Sequence, residues 1–274
     1  MSNIWQKDNI IAKDLFDNVK LYILGSICKF MVNTEITNHL KIRFKNQNII
    51  STNEITTAIL DAYPDVAPST VGWRIFQLKK EKLVFQVGRG LYTFEYKPEF
   101  IPTIAAKTKR QLKRIKTLVP YDLYVFDTHL LSDIIEKPIE KEWMFISAPK
   151  DELDQLYDKM LDLSKQVFLH TDKETMHRYI NAQSEAIILT TLVTEAPLYN
   201  GDDFNSFTLE GILVNVLFGA DILLGNLGVD YGVLFEKAFE KYNVNRSKLL
   251  RYASRRDKKV EIENLIKKIS KNGK

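Results

Sequence analysis

One cysteine, Cys28, rules out an intrachain disulfide framework and fits a reducing compartment. It reads as a small buried hydrophobe. No run of about 18 uncharged apolar residues exists, the length a membrane span needs, and the longest candidate, Leu21 to Phe30, is interrupted by Lys29. The start also lacks the flanking Lys or Arg and the small-residue cleavage site of a secretory leader, so the expected location is cytoplasmic, with no membrane partner. Histidine is scarce: His39, His129, His170 and His177 stand singly. His170 and His177 are seven apart, but His170 is expected to end a strand, and no metal site is predicted.

Catalytic signatures are missing too. The glycines at 219, 225 and 228 are not followed by the lysine of a phosphate-binding loop, and neither a G-x-S-x-G elbow nor an H-E-x-x-H helix occurs. Nucleotidyl transfer wants Gly-Ser followed shortly by a pair of metal-binding aspartates, whereas Gly25-Ser26 leads to Asn33-Thr34-Glu35. A restriction-type nuclease wants an acid on one strand and (D/E)-x-K on the next. The suggestive Asp257-Lys258-Lys259 lies in a charged helical tail. The expectation is a protein that is not an enzyme, with no catalytic residue and no cofactor.

What the chain does have is size, apolar content and segregated charge. Its 274 residues, 45% hydrophobic, suffice for two domains with real cores. Residues 1–98 carry 13 basic and 9 acidic side chains, 99–120 carry 6 and 1, 121–240 carry 8 and 22, and 241–274 carry 12 and 3. Basic ends around an acidic middle suggest polyanion contact at the ends.

The stretch from Ser51 to Phe94 organises the reading. Before it, Ile36, Leu40 and Phe44 recur every fourth residue, as on the buried stripe of a first helix. Ser51 and Glu54 form an S-x-x-E capping box for a second helix, with Ile55, Ala58 and Ile59 inward. Pro64 and Pro68 punctuate a turn, and Ser69 is expected to cap a third helix. There Val71, Ile75, Leu78 and Lys82 share one arc, leaving Thr70, Trp73, Arg74, Gln77 and Lys80 outside. Arg and Gln can make paired hydrogen bonds to base edges, and Lys neutralises phosphate. The strand-forming runs Leu83–Val87 and Leu91–Phe94 flank Gly88-Arg89-Gly90, where both glycines are expected to supply positive φ and Arg89 to reach a phosphate or minor groove. This pattern predicts a winged helix-turn-helix over 34–98. The DNA-facing set is Ser69, Thr70, Trp73, Arg74, Gln77, Lys80 and Arg89.

Residues 1–33 show no clean period and form an extension of unassigned role. Glu99 to Pro120 reads as a basic linker helix between domains, with Arg110 and Lys113 continuing the DNA track. Beyond it, 121–274 alternates predicted strands (Leu123–Phe126, Trp143–Ser147, Val167–Leu169, Ala186–Leu192) with predicted helices (Lys150–Leu163, Thr171–Asn181, Leu209–Leu217, Tyr231–Tyr242). That is a mixed α/β domain. Gly225 and Gly228 precede the last of those helices, and Asn245 to Arg256 makes a basic patch.

The order of these strings, WRI-x-x-L in the third helix, GRGLYTF in the hairpin, SEAIILTTLVTEAPLYN (184–200), FTLEGILVNVLF (207–218) and LLRYASRR (249–256), resembles the antitoxins of the AbiE type IV toxin-antitoxin systems. It spans about residues 34 to 260. The resemblance implies a winged-helix domain that represses its own promoter at inverted repeats in double-stranded DNA. It also implies an α/β antitoxin-like domain that counteracts a nucleotidyltransferase toxin, in some systems without a stable complex. By position the DNA role falls on Thr70, Arg74, Gln77 and Arg89. The antitoxin surface is expected on charge alone at Arg246, Lys248, Arg251, Arg255 and Arg256. Two alternatives remain open: a stand-alone regulator whose second domain senses a small ligand, and a metal-dependent nuclease. A deep apolar pocket with convergent polar groups in 121–240 would favour the first of these.

Overall fold

A computed structural model describes residues 33–169, 176–218 and 228–272. The expected N-terminal extension up to residue 32 with Cys28, the strand end at His170, the start of the helix expected from Thr171, and Gly225 lie outside the described residues. The chain divides into two compact units, Met1–Tyr96 and Lys97–Lys274.

The first unit contains α1 (33–43), β1 (Ile50–Ser51), α2 (Thr52–Ala62), α3 (Pro68–Lys80), β2 (Phe85–Gly88) and β3 (Leu91–Thr93). Ile36 and Leu40 of α1, Ile55, Ala58 and Ile59 of α2, and Val71, Ile75 and Leu78 of α3 are buried in one cluster with Ile50, Val84 and Tyr92. Truncating any of the large ones to alanine costs about 2–5 kcal/mol. Ser51 caps α2 as expected: its Oγ accepts the Glu54 amide at 3.2 Å, and the Glu54 carboxylate accepts the Ser51 amide at 2.7 Å. The three strands form an antiparallel sheet in the order β1-β3-β2.

Three local expectations are corrected. The N-cap of α3 is Ala67, not Ser69, and Pro68 takes the first helical position, where its missing N–H leaves no helical bond unmade. Lys82 lies beyond the helix, exposed and left-handed at φ 57°, instead of on the buried arc. In the hairpin only Gly90 has positive φ, 68°. Its carbonyl accepts the Thr52 amide at 2.8 Å, and a Cβ at Gly90 would come within 3.0 Å of Thr52 Oγ1. Gly88 instead sits beside a bulge that leaves Val87 without a partner residue on β3.

The second unit contains α4 (Ala106–Lys116), β4 (Tyr124–Asp127), α5 (Thr128–Ile135), β5 (Glu142–Ala148), α6 (Leu153–Leu161), β6 (Val167–Leu169) and β7 (Glu185–Thr191). It continues with β8 (Leu198–Asn200), β9 (Asn205–Phe207), α7 (Leu209–Phe218), α8 (Tyr231–Lys241), α9 (Arg246–Arg255) and α10 (Lys259–Asn272). A six-stranded mixed sheet runs β6-β7-β5-β4-β9-β8, with β5, β6 and β7 mutually parallel and β4 antiparallel to β5. Successive strand residues point to opposite faces, and here both faces are covered. Tyr124, Phe126, Trp143, Phe145, Ala186 and Ile188 pack under α5, α7, α8 and α9. Their neighbours Val125, Met144, Ile146, Ile187 and Leu189 pack under α4 and α6. Burial on both sides is why these strands read as continuous apolar runs.

Helix α4 is shorter than the expected 99–120 segment. It is part of the second unit's core, through Leu112 and Ile115, and does not span between domains. Among the described residues no helix is long and apolar enough to cross a membrane.

Candidate functional site

Helix α3 owes its orientation to the buried row Val71, Ile75 and Leu78, which turns the opposite face outward. Ser69, Thr70, Gly72, Trp73, Phe76, Lys79 and Lys80 are exposed there, and Arg74 and Gln77 are half-buried on the flanks. Trp73 is 48% exposed and Phe76 58%. The Arg74 guanidinium lies 5.6 Å from the Trp73 ring centre, a cation–π approach that braces both side chains. Thr70 turns its hydroxyl back to the Ala67 carbonyl at 2.7 Å, leaving its methyl to the surface. Lys79 donates to Gln86 Oε1 on β2, tying the helix end to the hairpin. Arg89 is exposed at the hairpin tip, where the turn after the bulge carries it.

The predicted DNA-facing residues are divided between the units. Ser69, Thr70, Trp73, Arg74, Gln77, Lys80 and Arg89 lie on the first; Arg110 and Lys113, both exposed on α4, lie on the second. Phe76, the most exposed aromatic of α3, was assigned to neither face in the sequence. Its spacing of three from Trp73 was the available signal.

The expected antitoxin patch on α9 is not a uniform solvated face. Arg255 pairs with Glu195, and Arg256 donates to Asn215 Oδ1 at 3.1 Å. Arg246 packs its guanidinium 5.8 Å from the Phe239 ring centre, and burial holds it below the ordinary arginine range. Lys248 is half-buried, and Arg251 is exposed.

A second site, a cleft of about 560 Å³, opens at one end of the sheet of the second unit. Because β4 runs against β5 and β7, the last residue of β4, Asp127, and the first residues of the other two, Glu142 and Glu185, reach the same edge. Asp127 is buried and spent on structure. It accepts the Ala105 amide at 2.9 Å, the Thr108 hydroxyl at 2.7 Å and the Leu130 amide at 3.1 Å, so it caps α5 and anchors α4 together. Glu142 and Glu185 are register partners whose charges would repel; Lys107 of α4 bridges them at 2.8 and 2.6 Å and is held above the ordinary lysine range by both. Lys141 donates to the Asn181 carbonyl at 2.6 Å, lies 4.8 Å from the Trp143 ring centre, and is pushed below the usual lysine range by burial. His129 and Asp133 pair at 3.9 Å on the rim, and the buried Trp143, Met144 and Ile187 lie among the lining residues. A concave site with convergent polar groups of this kind is where small molecules bind in general. Among the described residues no three His, Cys, Asp or Glu side chains converge as metal ligands. The sequence pattern does not show this cleft, since Lys107 meets Glu142 and Glu185 across long stretches of sequence.

The fold and the two sites define a bipartite α/β protein: a unit of three helices and a hairpin with an exposed cationic-aromatic helix face, and a helix-covered mixed sheet with a cleft at one end. The chain belongs to a family of unknown function (DUF6577), whose model matches residues 70–272, about three quarters of the 274. That match begins at Thr70, within α3, and runs through the entire hairpin and nearly all of the second unit. No curated protein matches the chain.

Proposed function

We propose that the chain is a duplex-DNA-binding transcriptional regulator whose first unit is a winged helix-turn-helix, with α3 as the reading helix and the Gly88–Gly90 hairpin as the wing. The observation that carries the reading is the outward face of α3. A helix braced by a buried row of Val71, Ile75 and Leu78 presents Arg74, Gln77, Lys79 and Lys80 around two exposed aromatics, and Arg89 tips the adjoining hairpin. Side chains of these types hydrogen-bond base edges and neutralise phosphates. The resemblance to AbiE antitoxins extends the proposal to repression of its own promoter and to counteraction of a nucleotidyltransferase toxin through the second unit.

The test is binding of the full chain to duplex DNA from upstream of its own reading frame across a salt series. Arg74→Ala and Arg89→Ala should each weaken binding, and each lost phosphate contact should flatten the plot of log affinity against log salt by about one. Protection against a co-expressed nucleotidyltransferase toxin should survive both changes. Unchanged promoter affinity in both variants removes the site assignment.

The cleft of the second unit favours a second reading, a regulator that responds to a small molecule. Its concave shape and the polar groups of Lys141, His129 and Gln166 that line it are what support that reading.

A further inference from the structure

Gly72, Trp73 and Phe76 lie outside the packed core of the unit that contains them. Gly72 lies in the interior of α3 without positive φ, and a Cβ there would meet nothing within 4 Å, although glycine weakens a helix interior relative to alanine. Trp73 and Phe76 stand on the same face, three residues apart and largely out of the core, with the Thr70 methyl three residues earlier. Cations surround this apolar strip: Arg74, Lys79 and Lys80 on α3, and Arg89 on the hairpin, with no acidic residue in the first turn of the helix. An apolar centre inside a cationic rim complements a major groove, where thymine C5-methyl groups line the floor and phosphates line both walls. A second copy of the chain would bring two such rims together and be repelled.

We propose that α3 reads thymine: Phe76 and Trp73 pack on the C5-methyl groups of thymines in the major groove of duplex DNA, and the bare backbone at Gly72 lets the helix approach the groove wall. The assignment rests on the DNA-binding reading above and adds the base recognised.

The experiment incubates the full chain with a pool of duplexes carrying a random core. Enriched duplexes are then remade with deoxyuridine for thymidine, one position at a time. At one or more positions loss of the methyl should weaken binding by about fourfold, the ratio expected for one buried methyl group. The paired variant Trp73→Ala with Phe76→Ala should bind the thymidine and deoxyuridine forms equally while still unfolding in the cooperative transition of the unaltered chain. If the unaltered chain binds both forms equally at every position, thymine reading is overturned while DNA binding stands. If no duplex is enriched, both fall. Self-association of the free chain that Phe76→Ala abolishes would assign the strip to a second copy and also overturn the proposal.

Discussion

Glu54 shows how much a single exposed carboxylate can be biased by its neighbours. Hydrogen bonds from Gln47, and then from the Ser51 hydroxyl and amide, lower its pKa from the ordinary 4.5 to about 2. A depressed carboxylate pKa stabilises the fold fully above its unfolded value, and that stabilisation disappears as pH falls through the folded value. The contribution is therefore present above about pH 4.5 and lost toward pH 2. In a pH titration followed by NMR the Glu54 carboxyl should have its midpoint near 2, and Glu54→Gln should be less stable than the unaltered chain at pH 6, the two converging near pH 2. A midpoint at the ordinary value would mean that the capping box does not persist in solution. At this scale the sequence was informative, because Ser51 and Glu54 are three residues apart and such a cap is a local device. It was silent on Asp127, whose partners Ala105 and Thr108 lie 22 and 19 residues away.

At the scale of elements, α3 combines a well-made inner face with an outer face that costs stability. Gly72→Ala should raise the unfolding free energy of the first unit by about 0.5–1 kcal/mol, since alanine fits there without strain. The same change should weaken duplex binding, as the added methyl intrudes between helix and groove. A variant that is more stable and binds DNA unchanged would separate Gly72 from ligand approach. The helices of the first unit and most strands of the second were legible, because their apolar residues recur with period near four or run continuously where both faces are buried. Helix α5, strands β8 and β9 and helix α9 were not, α9 showing only as a basic patch, and α10 showed only as a charged helical tail. The strands are three residues each, too short to show a period, and α5 follows β4 directly, with Asp127 ending one element and capping the next. The register of β5 with β7, which sets Glu142 beside Glu185, depends on a pairing across more than forty residues that no local pattern encodes.

On the scale of the whole molecule, the segregation of charge along the sequence is largely cancelled inside the second unit. Lys107 and Lys109 of the basic segment pair with Glu142, Glu185 and Asp203 of the acidic middle, and Lys241 and Arg255 of the basic tail pair with Glu136 and Glu195. Residues 97–274 hold 27 basic and 26 acidic side chains, whereas residues 1–96 hold 12 and 9. The inference from basic ends to polyanion contact at both ends thus narrows to the first unit. Most of these pairs are half exposed and screened by solvent, so their larger effect is on the field the second unit presents. The most direct measurement of the central claim, that α3 and its hairpin are the DNA-contacting surface, is the change in backbone amide chemical shifts of the full chain on adding an enriched duplex. The account predicts shifts concentrated at residues 69–80 and 88–90, with the strands β4 to β7 unmoved. Shifts confined to the second unit, or none at saturating duplex, would contradict it.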